Sequence, residues 1–232
     1  MRKQDATTRH LTLLGDSVID NKSYIKEGEK DTAEHIHSAF RAISTEVLSL
    51  AVDGAVTSDL IKDQLKWIPG DTTHLAISIG GNDLLGNLGW FDIPTGNLRM
   101  QEALAKFGEL RERFSIEYGE KLDLIHNKVG SSIRVILFDI YYPNWETEFF
   151  KGLPEHTPIL EASCNLAVDL WNATIHYHAY KRGFGLLPLN HLFRGDASMY
   201  ANTIEPSSKG SSAIAQRLLR ELFISRRLSN FH

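Results

Sequence analysis

His10-Leu11-Thr12-Leu13-Leu14-Gly15-Asp16-Ser17 is an apolar run of strand length that breaks on a glycine-containing polar turn. Four more apolar runs of strand length follow, at 45–52, 74–79, 133–140 and 184–189. Segments with helical spacing separate them, at about 31–42, 58–67, 98–128, 158–181 and 207–225. Within 98–128, Leu104, Phe107, Leu110, Phe114, Tyr118, Leu122 and Ile125 recur at three- and four-residue steps, which puts one apolar stripe on a helix. Strands that alternate with helices argue for a parallel sheet covered on both faces. Unbroken apolar runs, rather than alternating ones, suit strands buried on both sides. The pattern predicts an α/β fold with a five-stranded parallel sheet, in one domain over residues 1–232.

The 232 residues are 42% hydrophobic and 23% charged, the make-up of an ordinary globular chain rather than a disordered one. A net charge of −4, with basic residues clustered no more densely than in adjacent pairs such as Arg226-Arg227, argues against a nucleic-acid partner. The lone Cys164 lies in an apolar-periodic stretch and reads as a buried, inert thiol. Residues 1–10 lack the apolar core of a secretion signal, and no run approaches the roughly 18–20 apolar residues of a membrane span. A cytoplasmic protein with no membrane partner is expected; its oligomeric state is left open.

In open parallel sheets, ligands bind beyond the carboxyl ends of the strands. Three polar clusters fall there: Gly15-Asp16-Ser17, Asp53-Gly54 and Gly80-Gly81-Asn82-Asp83. A serine hydroxyl, a glycine N–H and an asparagine amide converging from three strand ends would make most of an acyl-transfer site. Each cluster alone is also an ordinary turn or loop. A nucleotide site fits poorly, because Asp16 puts an anion where a phosphate cradle would need bare N–H groups.

Leu13-Leu14-Gly15-Asp16-Ser17, Ala51-Val52-Asp53-Gly54-Ala55-Val56-Thr57 and Gly80-Gly81-Asn82-Asp83 together resemble the SGNH (GDSL-type) hydrolases, in order and over most of the chain. The resemblance implies a flavodoxin-like three-layer α/β/α sandwich and esterase or lipase-type chemistry, here on a small or medium acyl ester, with no metal or organic cofactor. It implies Ser17 as nucleophile, and an oxyanion hole of the Ser17 N–H, the Gly54 N–H and the Asn82 side chain.

The last block of that family, Asp-x-x-His-Pro, is replaced here by Asn202-Thr203-Ile204-Glu205-Pro206-Ser207. Both exchanges fall on the residues that would activate the serine. A carboxylate could serve as base if burial raised its pKa toward that of imidazole. A neutral Asn202 could then donate to Glu205 and orient it, where an aspartate would repel it. Two alternatives stand beside a Ser17–Glu205–Asn202 site: recruitment of His191 as base, or a catalytically inactive ligand-binding protein. His176 and His178, two residues apart on one helix, point to different faces and read as surface or boundary residues.

The loops after the strands carry Trp90, Phe91, Tyr141, Tyr142, Trp145, Phe149 and Phe150 as candidate substrate walls. Tyr142, before Pro143 at a strand end, and Asp16, beside the serine, are the expected substrate contacts. The acidic loop with Glu146, Glu148 and Glu155 is expected to face solvent.

Overall fold

A computed structural model describes residues 9–87, 100–148 and 157–223. Strands β1 (Arg9–Gly15), β2 (Thr45–Ser49), β3 (His74–Ser78), β4 (Arg134–Phe138) and β5 (Gly185–Leu187) form one sheet in the order β2-β1-β3-β4-β5. Every pairing is parallel. The helices are α1 (Thr32–Arg41), α2 (Gly81–Leu85), α3 (Met100–Val129), α4 (Thr157–Arg182), α5 (Leu189–Phe193) and α6 (Ser208–Phe223).

Alternating side chains of each strand feed two cores, as the two-residue period of a strand requires. Leu14, Leu75, Ile77, Val135 and Leu137 meet Phe114, Tyr118 and Leu122 of α3 and Trp171 and Ile175 of α4. Leu11, Leu13, Ala76, Ile136 and Phe138 meet Ile36 and Phe40 of α1 and Ile214, Leu218 and Leu222 of α6. The expected three-layer α/β/α sandwich is therefore present. Local signals agree with it at the helix starts. Asp31 caps α1 by accepting from the Glu34 N–H, and Glu34 reaches back to the Asp31 N–H, a reciprocal capping box.

The chain goes from β1 to β2 on one side, then returns to place β3 on the other. The crevice above β1 and β3 is thus the topological switch point, where this class of sheet binds ligands.

Three expectations shift in detail. The predicted helix over 58–67 is a widened π-turn, Leu60–Gln64, followed by a 3₁₀ turn, Leu65–Trp67. This geometry accompanies a tertiary demand: the buried Gln64 amide bonds both the N–H and the C=O of Gly15. β5 stops at Leu187 because Pro188 has no N–H for a ladder. On α3 the stripe is buried at Leu110, Phe114, Tyr118, Leu122 and Ile125, whereas Leu104 is exposed.

Candidate active site

The turn after β1 is built on a glycine that no other residue could replace. Gly15 has φ +137°, and a Cβ there would lie 1.8 Å from the Ser78 carbonyl oxygen. The closeness arises because the ends of β1 and β3 converge, with the Asp16 N–H bonded to Ser78 O at 3.1 Å. Asp16 turns inward and is buried, accepting from the Val18 N–H (3.1 Å) and from Ser78 Oγ (3.2 Å). Burial pushes its carboxyl up to about 7; its two hydrogen bonds offset part of that, and the charge on Glu205 adds to it.

Ser17, the next residue, donates its hydroxyl to Glu205 Oε1 at 3.0 Å. Both side chains are buried. Burial pushes Glu205 from the usual carboxylate range up to about 7; the Ser17 bond pulls it down and the charge on Asp53 pushes it up. Among the described residues no Lys, Arg or His forms an ion pair with Glu205. Its second oxygen, Oε2, is buried without a hydrogen-bond partner among the described residues.

The loop carrying Glu205 is fastened from several sides. Ala201 N–H bonds Glu205 O at 2.8 Å, and Tyr200 bridges Pro206. Tyr141 Oη donates to Ile204 O at 2.6 Å. From the β1 side, buried Asn21 donates to Pro206 O (2.9 Å) and Ser211 Oγ (3.2 Å), while accepting the Thr32 N–H that opens α1. Asn21 thus ties the loop after β1 to the one before α6.

Asn202 belongs to this fastening and not to the carboxylate. Its Oδ1 accepts the backbone N–H groups of Ile204 and Glu205, each at 2.9 Å. The expected amide-to-carboxylate bond is therefore not made. A short Asn side chain readily closes such an Asx turn on the backbone just ahead of it.

On the other side of the serine, Asn82 opens α2 and donates Nδ2 to Ala55 O at 2.9 Å. Asp83 accepts from both the N–H and the hydroxyl of Thr57 at 3.0 Å. These bonds hold the 53–57 turn against the Gly80-Gly81-Asn82-Asp83 turn. Gly54 has φ +77° on the exposed part of that turn, outside the lining of the cleft.

The cleft is a narrow cavity of about 80 Å³. Asp16, Ser17, Ser78, Asn82, Asp139 and Glu205 are its polar lining, set among Ile79, Leu84, Phe138, Ile140, Tyr141, Val168 and Ile204. It brings together Ser17, Asp16, Asn82 and Glu205. Tyr142 lies outside this lining and instead donates to Asp169 on α4 at 2.6 Å. Tyr141 lines the cleft in its place, because neighbours in an extended segment point to opposite sides.

His191, on α5, is exposed and outside the lining. Asp139 was legible only as part of the β4 run; it is buried at the strand end, accepting from the Asn190 N–H (2.9 Å) and paired with His176 Nε2 (3.1 Å). A single acidic residue closing an apolar strand was the signal that could have marked it. Glu146 and Glu148 are exposed, and Cys164 is buried with its thiol pKa raised by burial. Trp90, Phe91, Phe149, Phe150, Glu155 and Arg226-Arg227 lie outside the described residues.

No family model matches the chain, and no curated protein matches it. Solved structures do. An extracellular lipase from Streptomyces rimosus is 21% identical, with a TM-score of 0.64 over 92% of this chain and 99% of that one. Phospholipase A1 from Streptomyces albidoflavus NA297 is 20% identical, with a TM-score of 0.65 over the same shares. A variant of an acetyl-xylooligosaccharide esterase from Geobacillus is 14% identical, with a TM-score of 0.59 over 93% of this chain and 94% of that one. What the chain shares with these hydrolases is the fold. No helix among the described residues is long and apolar enough to cross a membrane.

Proposed function

We propose that the protein is an ester hydrolase of the SGNH (GDSL-type) class, in which Ser17 is the nucleophile and Glu205 the general base. One observation carries the reading: the Ser17 hydroxyl donates to a buried carboxylate whose pKa, about 7, is close to that of imidazole. A free carboxylate, some two units lower, would be a weaker proton acceptor by roughly 3 kcal/mol. Burial supplies the difference.

In the proposed reaction, Ser17 Oγ attacks the ester carbonyl carbon as its proton passes to Glu205 Oε1. The Ser17 N–H and the Asn82 amide, both at the cleft, receive the oxyanion, while the expected Gly54 N–H lies outside it. Collapse breaks the bond to the alcohol, which departs with the proton from Glu205. A water molecule then gives a proton to Glu205 as it attacks the acyl-serine, and collapse releases the acid while Glu205 returns that proton to Ser17 Oγ. Asn202 acts as a positioning residue that holds the Glu205 backbone. The small, apolar cleft supports a short acyl chain. The fold shared with a lipase, a phospholipase and an acetyl-xylooligosaccharide esterase supports the reaction class.

The test is labelling by a fluorophosphonate probe alongside turnover of p-nitrophenyl acetate and butyrate. Wild type is expected to label at Ser17 and to turn over, and Ser17→Ala to do neither. A Glu205→Gln variant with full turnover would remove Glu205 as base. A folded wild type that neither labels nor hydrolyses would make this a ligand-binding protein on a hydrolase scaffold.

A further inference from the structure

With Gly54 outside the cleft, two donors face the oxyanion, the Ser17 N–H and the Asn82 amide, and a buried carboxyl group stands beside them. Asp16 immediately precedes the nucleophile, is 3% exposed and lines the same cavity as Ser17, Asn82 and Glu205. Its Oδ1 takes two hydrogen bonds, from the Val18 N–H at 3.1 Å and from Ser78 Oγ at 3.2 Å. The bond to Val18, two residues on, curls the carboxyl over the Ser17 peptide, whose N–H is one of the two donors. Oδ2 is the oxygen left over, with no hydrogen bond to another described residue.

No cation balances this carboxyl. The cleft lining contains no Lys, Arg or His, and among the described residues none forms an ion pair with Asp16 or Glu205. Around Asp16 stand the Tyr118 phenol of α3, the Tyr141 phenol after β4, Asp83 of α2, and Asp139, which is paired with the half-exposed His176 of α4. Of these only His176 can carry positive charge, and Asp139 already takes it. Two unbalanced carboxyl groups in one cavity of about 80 Å³ do not both ionise at neutral pH. A base must be the ionised member, so the proton that stays belongs to Asp16. The electrostatics agree in direction: the charge on Glu205 raises Asp16, whereas Glu205 itself is raised by burial and by Asp53.

We propose that Asp16 is a catalytic residue that, as the neutral acid, donates a hydrogen bond from Oδ2 to the oxyanion, the part expected of the Gly54 N–H. This role rests on the ester-hydrolase reading. No proton leaves Asp16: its O–H bond to the substrate oxygen strengthens as that oxygen gains charge and weakens on collapse. Ionised, Asp16 would set a negative charge against the oxyanion where a donor is needed. The site therefore works in one protonation state, with Glu205 bare and Asp16 protonated. Gly15-Asp16-Ser17 then supplies the nucleophile and two of the three donors from one turn.

The test is the pH profile of p-nitrophenyl acetate turnover for wild type, Asp16→Ala and Asp16→Asn, beside a carbon-13 NMR titration of the Asp carboxyl groups of the full chain. Wild type is expected to give a bell, rising as Glu205 ionises and falling again as Asp16 does. Asp16→Ala should lose about 10²-fold in kcat at the wild-type optimum, with KM little changed. Asp16→Asn can keep both acceptor bonds through Oδ1 and donates through Nδ2 at every pH. It should recover most of the alanine loss and abolish the alkaline fall. A wild-type profile that stays level on the alkaline side, or an Asp16→Asn variant that keeps the fall or is as slow as the alanine, would overturn the role. The NMR titration needs no turnover and reads Asp16 by its absence from the Asp16→Asn spectrum. An active enzyme whose Asp16 titrates at about pH 4 sinks this role alone, whereas a folded wild type without turnover sinks the hydrolase reading and this role with it.

Discussion

The carboxyl groups of Asp16 and Glu205 share the cleft that holds Ser17, and the charge on Glu205 raises the pKa of Asp16. Each is lifted to about 7, chiefly by burial. Two such groups titrate as a pair, because ionising one makes ionising the other harder.

The pH dependence of turnover follows from that pair. General-base catalysis needs Glu205 ionised, so kcat/KM is expected to rise with pH through an apparent pKa near 7, not near the ordinary 4.5. Removing the charge that pushes Glu205 up, with Asp53→Asn, should move this limb to lower pH. A pH–rate profile with its limb at pH 4–5 in wild type would contradict the assignment.

Replacing Glu205 separates stability from activity. Its folded pKa lies above its unfolded value, so the native state holds the proton more tightly and stability falls as pH rises from about 4.5 to about 7. Glu205→Gln removes that loss. It is expected to unfold with about 1–3 kcal/mol more stability than wild type at pH 8, a gain that fades on acidification and is gone by about pH 4. Esterase activity at pH 8 should fall about 10²–10⁴-fold in the same variant. Urea unfolding at pH 8 and pH 4 and a p-nitrophenyl ester assay read both effects.

Asn202→Ala strips the acceptor from the Ile204 and Glu205 N–H groups and is expected to cost about 1 kcal/mol of stability. Turnover should drop with it while KM changes little. Asn202→Asp keeps both acceptor bonds and should restore most of the loss. If the side chain worked instead by donating to the Glu205 carboxylate, the aspartate would be at least as damaging as the alanine.

Gly15→Ala is expected to be far more severe than its size suggests. The added Cβ would sit 1.8 Å from a backbone oxygen, at a φ that side chains rarely adopt. The strand ends cannot separate without breaking the Asp16–Ser78 bond, so a loss above about 3 kcal/mol is expected. Thermal unfolding monitored by circular dichroism measures it directly.

The order of elements was legible in the chain alone, because strand runs, helical stripes, capping residues and turn glycines are set by neighbours within a few positions. That is why β1 ends where Gly15 interrupts it, why Asp31 and Glu34 open α1, and why Ser17 and Asn82 fall at strand ends on one side of the sheet. Contacts across long sequence separations decided the rest. Glu205 meets Ser17 across 188 positions and gains its proton affinity from burial, which no local pattern encodes. Asn202 serves the backbone, Tyr141 rather than Tyr142 faces the cleft, and Asp139 turns inward, each by packing against segments remote in the chain. Periodicity reports which face of an element is apolar; only the assembled layers determine which polar group loses its water and what it meets instead.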